Sequence, residues 1–98
     1  MTEYQIATGV LEAIVRGSLQ GDNRVRFHSP LPLVKGRAVT VEVQDAECKV
    51  QVQVDARYGE HLPSLADEIR QQVSAALGRM TGLRVTSVDV IYAGVFAE

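Results

Sequence analysis

The alternation of apolar and polar residues changes its period twice in the second half of the chain. Over Val50–Arg57 every second residue is apolar, a pattern typical of a strand with one buried face and one wet face. Apolar residues then recur every three or four positions, which predicts an amphipathic helix over about Pro63–Met80. Alternation returns over Val88–Tyr92. The region therefore predicts a strand, a crossover helix and a second strand, a unit whose two strands usually run parallel.

Local signals mark the ends of this helix and the start of the strand that follows it. Pro63 suits the first helical turn, where an amide hydrogen would have no partner within the helix. Gly82 can adopt the left-handed backbone conformation that ends a helix. The apolar positions on the two sides of residue 86 have opposite parity, so we expect a bulge or a late strand start near Thr86 and Ser87.

A first helix is predicted near the amino terminus. Thr8 can act as its N-cap. Five residues form its apolar stripe: Val10, Leu11, Ile14, Val15 and Leu19. Gly17 lies inside this pattern at a cost of about 1 kcal/mol relative to alanine, so we expect close packing of the helix there. A short strand over Glu3–Ile6 precedes the helix in one of two interpretations.

A long connection and a strand hairpin follow the first helix. The connection, Arg24–Arg37, contains two prolines and a glycine, and within it Val25–His28 alone is capable of pairing as a strand. Connections of this length are usually functional or mobile. Alternation over Val39–Gln44 and a turn over Asp45–Cys48 predict an antiparallel hairpin with the strand that begins at about Lys49.

These elements predict an α+β fold in a single domain spanning residues 1–98. Their order is β-α-β-β-α-β with the first short strand and α-β-β-α-β without it. In both cases two helices cover one face of a three- to four-stranded mixed sheet, and the other face meets water or a partner. A ferredoxin-like strand order and a simpler split β-α-β sheet both fit this two-layer sandwich.

Composition limits where the protein acts. The chain has 98 residues and a net charge of −2, and its apolar share of 46% is ordinary for a globular protein. No apolar run approaches the ~18 residues that span a bilayer, and no basic region followed by an apolar one opens the chain. We therefore expect a cytoplasmic protein without direct membrane insertion, unless a partner carries it to a membrane.

The connection concentrates positive charge and is the candidate partner-binding site. Four basic residues and no acidic ones lie in it: Arg24, Arg26, Lys35 and Arg37. With Phe27 among them, these residues resemble a weak contact for nucleic acid or an acidic partner. A solvated mobile loop is the plainer interpretation.

Residues that usually carry catalysis or bind metals form no motif. His28 and His61 are far apart, and Cys48 is the only cysteine, which excludes an internal disulfide and a thiolate metal cluster. Asp67 and Glu68 are adjacent on the predicted helix, where such a pair is ordinarily solubilising. Serine nucleophile and phosphate-loop motifs are absent. We therefore expect no catalytic residues, no cofactor and no metal.

An unprotected strand edge is the second candidate for binding. Such an edge presents unpaired amide and carbonyl groups to any other chain. Valine, threonine and glutamine, which dominate the predicted strands, do little to prevent pairing. Self-association is therefore a hypothesis, and an edge protected by twist and charge is its alternative.

Three runs of sequence resemble one known family. RYGEHLPSLA over Arg57–Ala66 and MTGLRVTSVDV over Met80–Val90 resemble the tyrosine-glycine turn, proline-started helix and M-T-G-L-x-V-x-x-V-x-V ending of the bacterial alkaline shock protein family. This family is also called the envelope stress response family. KGRAVTV over Lys35–Val41 is similar to its strand entry. Over Arg24–Leu33 the chain departs from the family, with proline and basic residues where members usually carry a glycine-rich loop.

The resemblance implies a non-enzymatic protein of cell-envelope homeostasis. Members are small cytosolic proteins that self-associate and gather at the membrane through an integral membrane partner protein. The family supplies no catalytic motif to carry over to this chain. The leading hypothesis is therefore a self-associating interaction scaffold near the membrane. The alternative is a small nucleic-acid-binding module that uses the basic loop over residues 24–37, and its affinity would fall steeply with salt.

Overall fold

Two helices and four strands make up residues 7–28 and 38–97, which are the parts of the chain that the computed structural model describes. In chain order they are α1 (Thr8–Leu19), β1 (Val25–Phe27), β2 (Val39–Gln44), β3 (Glu47–Arg57), α2 (Leu62–Thr81) and β4 (Arg84–Phe96). The strand predicted over Glu3–Ile6 lies outside the described residues. Compared with the predicted order α-β-β-α-β, the structure adds one strand, because Val25–Phe27 pairs with the end of β3.

The long strand β3 is the centre of the sheet. β4 pairs with it in parallel along its whole length, from Glu47 opposite Arg84 to Arg57 opposite Phe96. β1 and β2 are both antiparallel to β3 and occupy different parts of it, so they share its other edge. The mixed sheet and the parallel strands around the crossover helix are thus confirmed. Because β3 and β4 are immediate neighbours, no strand lies between them, so the ferredoxin-like order and the split β-α-β sheet, which both require such a strand, are wrong.

The predicted irregularity near Thr86 is a bulge. The register of β4 skips this residue between the partners of Cys48 and Lys49, and the Thr86 hydroxyl donates to the Cys48 carbonyl oxygen at 3.1 Å. β4 itself begins earlier, at Arg84. A second register shift, at Ala93, was not predicted from the sequence.

Both helices pack on the same face of the sheet, where the core lies. Alternate residues of β3 from Cys48 to Ala56 point into this core, as the period of two predicted. α1 packs on β2 and α2, and α2 packs on β4. The buried cluster also draws on both helices and the other strands: Leu11, Val15, Leu19, Val25, Val39, Val41, Leu65, Ile69, Val73, Leu77 and Val88. The predicted two-layer α+β sandwich is therefore confirmed.

The ends of α2 follow from its sequence. Pro63 lies in the first turn, and Gly82 follows the last residue with φ of 74°, the left-handed conformation. The amide of Gly82 donates to the Gly78 carbonyl at 3.0 Å. α1 begins differently from the prediction, because Ala7 occupies the N-cap position and Thr8 is the first helical residue.

Two glycines offer a test of these backbone assignments. We expect Gly82→Ala to lower the free energy of unfolding by about 1 kcal/mol, because a side chain is strained in the left-handed region. We expect Gly17→Ala to raise it by about 0.5–1 kcal/mol, since alanine is the better helix former. Apart from its chain neighbours and the nearby backbone of its own helix, no described atom lies within 4 Å of a Cβ added at Gly17, so the close packing expected there does not occur among the described residues. Urea denaturation of both variants measures the two shifts, and destabilisation by Gly17→Ala would contradict this assignment.

Candidate functional site

The four basic residues of the candidate partner-binding site do not form one described surface. Lys35 and Arg37 lie outside the described residues. Arg24 immediately precedes β1, and Arg26 is the middle residue of that strand. Both described arginines interact with other parts of the chain.

Arg24 is bound by two carboxylates. Its Nε and Nη2 donate to the two carboxylate oxygens of Asp22 at 2.9 and 2.7 Å, and its Nη1 donates to Glu68 Oε2 at 2.7 Å. The hydrogen bonds to Arg24 lower the pKa of Asp22 below its usual value, and the same bonds raise the pKa of the guanidinium. Because Glu68 belongs to α2, this arginine ties the start of β1 to the helix layer. Most of its charge is therefore balanced within the molecule.

Arg26 lies over an aromatic ring on the opposite, open face of the sheet. Its guanidinium carbon is 4.1 Å from the centre of the Phe96 ring, a distance typical of a cation–π contact. β1 and β4 flank β3, so the side chain of Arg26 crosses the central strand to reach this ring. Phe96 is only 8% exposed, although its register with Arg57 places it on the open face.

His28 also pairs on this face. Its Nδ1 is 2.9 Å from Asp55 Oδ1, and its backbone amide donates to the Gln53 carbonyl at 3.0 Å. A Cβ at Gly94 would come within 3.0 Å of the same Asp55 oxygen, so glycine leaves room for this carboxylate. Sequence reasoning missed the pair, because only strand register brings residue 28 beside residue 55.

The other candidate reactive residues stay apart. Nδ1 of His61 is 2.7 Å from the Ser64 hydroxyl at the exposed start of α2. Cys48 is 1% exposed in the core, and burial raises the pKa of its thiol. Among residues 7–28 and 38–97, no three side chains of His, Cys, Asp or Glu are placed to hold a metal ion. The described residues therefore assemble no reactive constellation around His28, His61 or Cys48.

The open face of the sheet is polar, as its alternation predicted. It carries Thr40, Glu42, Gln51, Gln53, Asp55 and Arg57, all of them exposed or half-buried. Charges of both signs alternate with amides, so this face has no large apolar patch within the described strands. Its most exposed large apolar residue, Ile91, belongs to β4 and is 40% exposed.

The outer edge of β4 is one of the two edges of the described sheet, and β1 and β2 form the other. No described strand pairs with this edge. Arg70 of α2 reaches the strand and donates from Nε to the Val88 carbonyl at 3.1 Å, while Asp67 binds its Nη1 at 2.8 Å. Further along, Val95 is 64% exposed. The contact of Arg70 thus divides the edge into a first half, residues 84–89, whose backbone it engages at Val88, and a second, open half, residues 90–96.

These features define an α+β protein whose described surface offers an open sheet face and an unpaired strand edge. The chain belongs to the Asp-23 family, whose model is described as having a cell envelope-related function and matches residues 1–97. This match confirms the resemblance to the alkaline shock proteins. No curated protein and no solved structure matches the chain. Neither described helix combines the length and the hydropathy needed to cross a bilayer.

Proposed function

We propose that the protein is a self-associating interaction scaffold of the envelope stress response, held near the membrane by a protein partner and catalysing no reaction. The cell envelope-related function of its family supports the assignment to the envelope stress response. The observation that carries the proposal is the outer edge of β4, with which no strand among residues 7–28 and 38–97 pairs and which bears exposed apolar side chains at its carboxyl end. An edge of this kind is a template for strand addition by another chain.

The proposal includes a cytoplasmic location and an integral membrane partner protein. The described helices supply no membrane span, so an anchor would come from the partner. Lys35 and Arg37 remain candidate partner-binding residues within this proposal. Arg24 and Arg26 would contribute less, because Asp22, Glu68 and the Phe96 ring already engage their charges. Because these two arginines are already engaged within the chain, no described contact favours the alternative of a nucleic-acid-binding module.

Self-association has a direct test in solution. We expect the average mass of the purified protein to rise above the 10.7 kDa of one chain as its concentration increases, because a weak edge contact obeys mass action. Size-exclusion chromatography with light scattering over a wide concentration range measures this mass. A constant 10.7 kDa at every concentration would contradict the scaffold proposal.

The membrane partner needs a separate experiment in native cells. Crosslinking followed by detergent solubilisation should recover the chain with an integral membrane protein. Removal of that protein should then move the chain from the membrane fraction to the cytoplasmic fraction. A chain that stays in the cytoplasmic fraction with and without crosslinking would refute this part of the proposal.

A further inference from the structure

We infer that β4 of a second copy pairs with the open half of the β4 outer edge, over Val90–Phe96. This inference rests on the proposed self-association and names the surface that it would use. The surface is defined by contrast with the first half of the same strand.

The first half of the edge has features that disfavour pairing with another strand. It carries both charged residues of β4, Arg84 and Asp89. The side chain of Arg70 also reaches the backbone there, and its hydrogen bond to the Val88 carbonyl occupies a group that a new strand would need. Charged side chains and covered backbone are the features by which edge strands resist pairing. Strand addition is therefore disfavoured before Val90.

Among the described residues, the second half has neither a charged side chain of its own nor a backbone contact like that of Arg70. Residues 90–96 contain no charge and no proline, and they are rich in β-branched and aromatic residues. Ile91 is 40% exposed and Val95 is 64% exposed. A neutral, apolar and unpaired stretch of strand of this kind is a site for pairing with another chain.

The position at which α2 starts explains why the helix does not cover this half of the edge. The Tyr92 hydroxyl donates to the carbonyl of Leu62, the first residue of α2, at 2.7 Å. β4 continues past this point, so Val95 stays exposed although its register with Ala56 puts it on the helix side. Tyr58, 77% exposed, adjoins the same end, because its amide donates to the Phe96 carbonyl at 2.7 Å. Exposed apolar surface thus gathers at one end of the edge.

A second copy fits this surface because the segment is neutral. In a contact related by a two-fold axis, residues 90–96 of one copy face residues 90–96 of the other. Because this segment is uncharged, the contact brings no like charges together. Seven residues of strand extend about 23 Å. Pairing over this length buries less surface than a stable permanent interface, so the association should be weak and concentration-dependent.

A lysine scan of exposed positions tests the surface. We expect Val95→Lys and Ile91→Lys each to weaken self-association about tenfold or more, because an edge lysine opposes strand pairing. Met80→Lys is the matched control, since Met80 is 63% exposed on α2, away from this edge, and should change the association less than about twofold. Sedimentation velocity gives the dissociation constants, and circular dichroism verifies that each variant is folded.

Crosslinking adds a measurement that does not depend on affinity. In a Cys48→Ala background, Ala93→Cys should form disulfide-linked dimers under mild oxidation, because exposed Ala93 is the central residue of the paired segment and faces its own copy, and Met80→Cys should not. If the wild-type protein associates but the Val95 and Ile91 variants associate equally well, the second copy uses another surface and the inference is wrong while the scaffold stands. Weakening by Met80→Lys alone would overturn it in the same way. A wild-type protein that stays monomeric would instead refute the proposed function.

Discussion

Leu77→Ala is expected to lower the free energy of unfolding by about 2–5 kcal/mol, because the variant leaves a cavity in a packed core. Leu77 is fully buried between α2 and the sheet and belongs to the central cluster of the protein. Small domains are stable by only about 5–15 kcal/mol, so this single change would remove a large share of the total. Urea denaturation measures the loss as a lower midpoint at an unchanged slope.

Met80→Ala is the matched control for this prediction. Met80 lies on the same helix, less than one turn further along, and has a side chain of similar size that is 63% exposed. Its truncation should change the free energy of unfolding by less than about 0.5 kcal/mol. Equal losses in the two variants would contradict the assignment of the buried face of α2.

The parts of the fold that the sequence predicted are those encoded by near neighbours. The period of the apolar residues and the left-handed glycine at position 82 placed α2 to within one residue at each end. The parity change across residue 86 located the bulge, because a strand with one buried face cannot shift by one residue without exposing its core side chains. Each of these signals acts over a few residues of chain.

The parts that could not be predicted depend on distant residues. The sequence predicts β1 only as one possibility, because Val25–His28 is capable of pairing; the far end of β3 is the partner that makes Val25–Phe27 a strand. The second bulge, at Ala93, has no comparable parity signal. In both cases the local sequence permits several structures, and the tertiary contact selects one of them.

The candidate site illustrates the same limit for charge. Counting charges along residues 24–37 gave four cations and no acidic residue, although Asp22, which binds Arg24, lies only two positions before this range. In the folded chain Glu68 lies 44 positions from Arg24 and binds it, and Phe96 lies beneath Arg26. A local charge count cannot detect such partners. A basic loop in a short chain is therefore a weaker sign of nucleic-acid binding than it looks from composition alone.

The envelope-related function depends even less on local pattern. Fold alone does not determine function, and the described residues present no reactive centre from which a reaction could be derived. The structure adds to the family assignment a difference between the two halves of the β4 edge. Arg70 binds the backbone of the first half, and the second half carries the exposed side chains of Ile91 and Val95. On this difference rests our proposal that self-association uses the second half of the edge.

Asp22→Asn is expected to lower the free energy of unfolding by about 1.5–3 kcal/mol at neutral pH, the range for hydrogen bonds to charged groups. The bonds from Arg24 lower the pKa of Asp22 in the folded state below its value in the unfolded chain. The unfolded chain therefore binds the proton more readily, and the stabilisation is complete above the unfolded pKa, near 3.9. It is lost as the pH falls through the folded value.

The difference between the wild-type protein and Asp22→Asn should therefore shrink as the pH falls below about 4. Urea denaturation at neutral pH and in acid measures this change. Glu68→Gln is the control: its side chain is 52% exposed, so its bond to the same guanidinium should contribute about 0–1 kcal/mol. Asp22 is 10% exposed, and its bidentate contact resists screening by solvent better. A difference that stays constant down to acid pH would mean that the carboxylate charge of Asp22 does not stabilise the fold through Arg24.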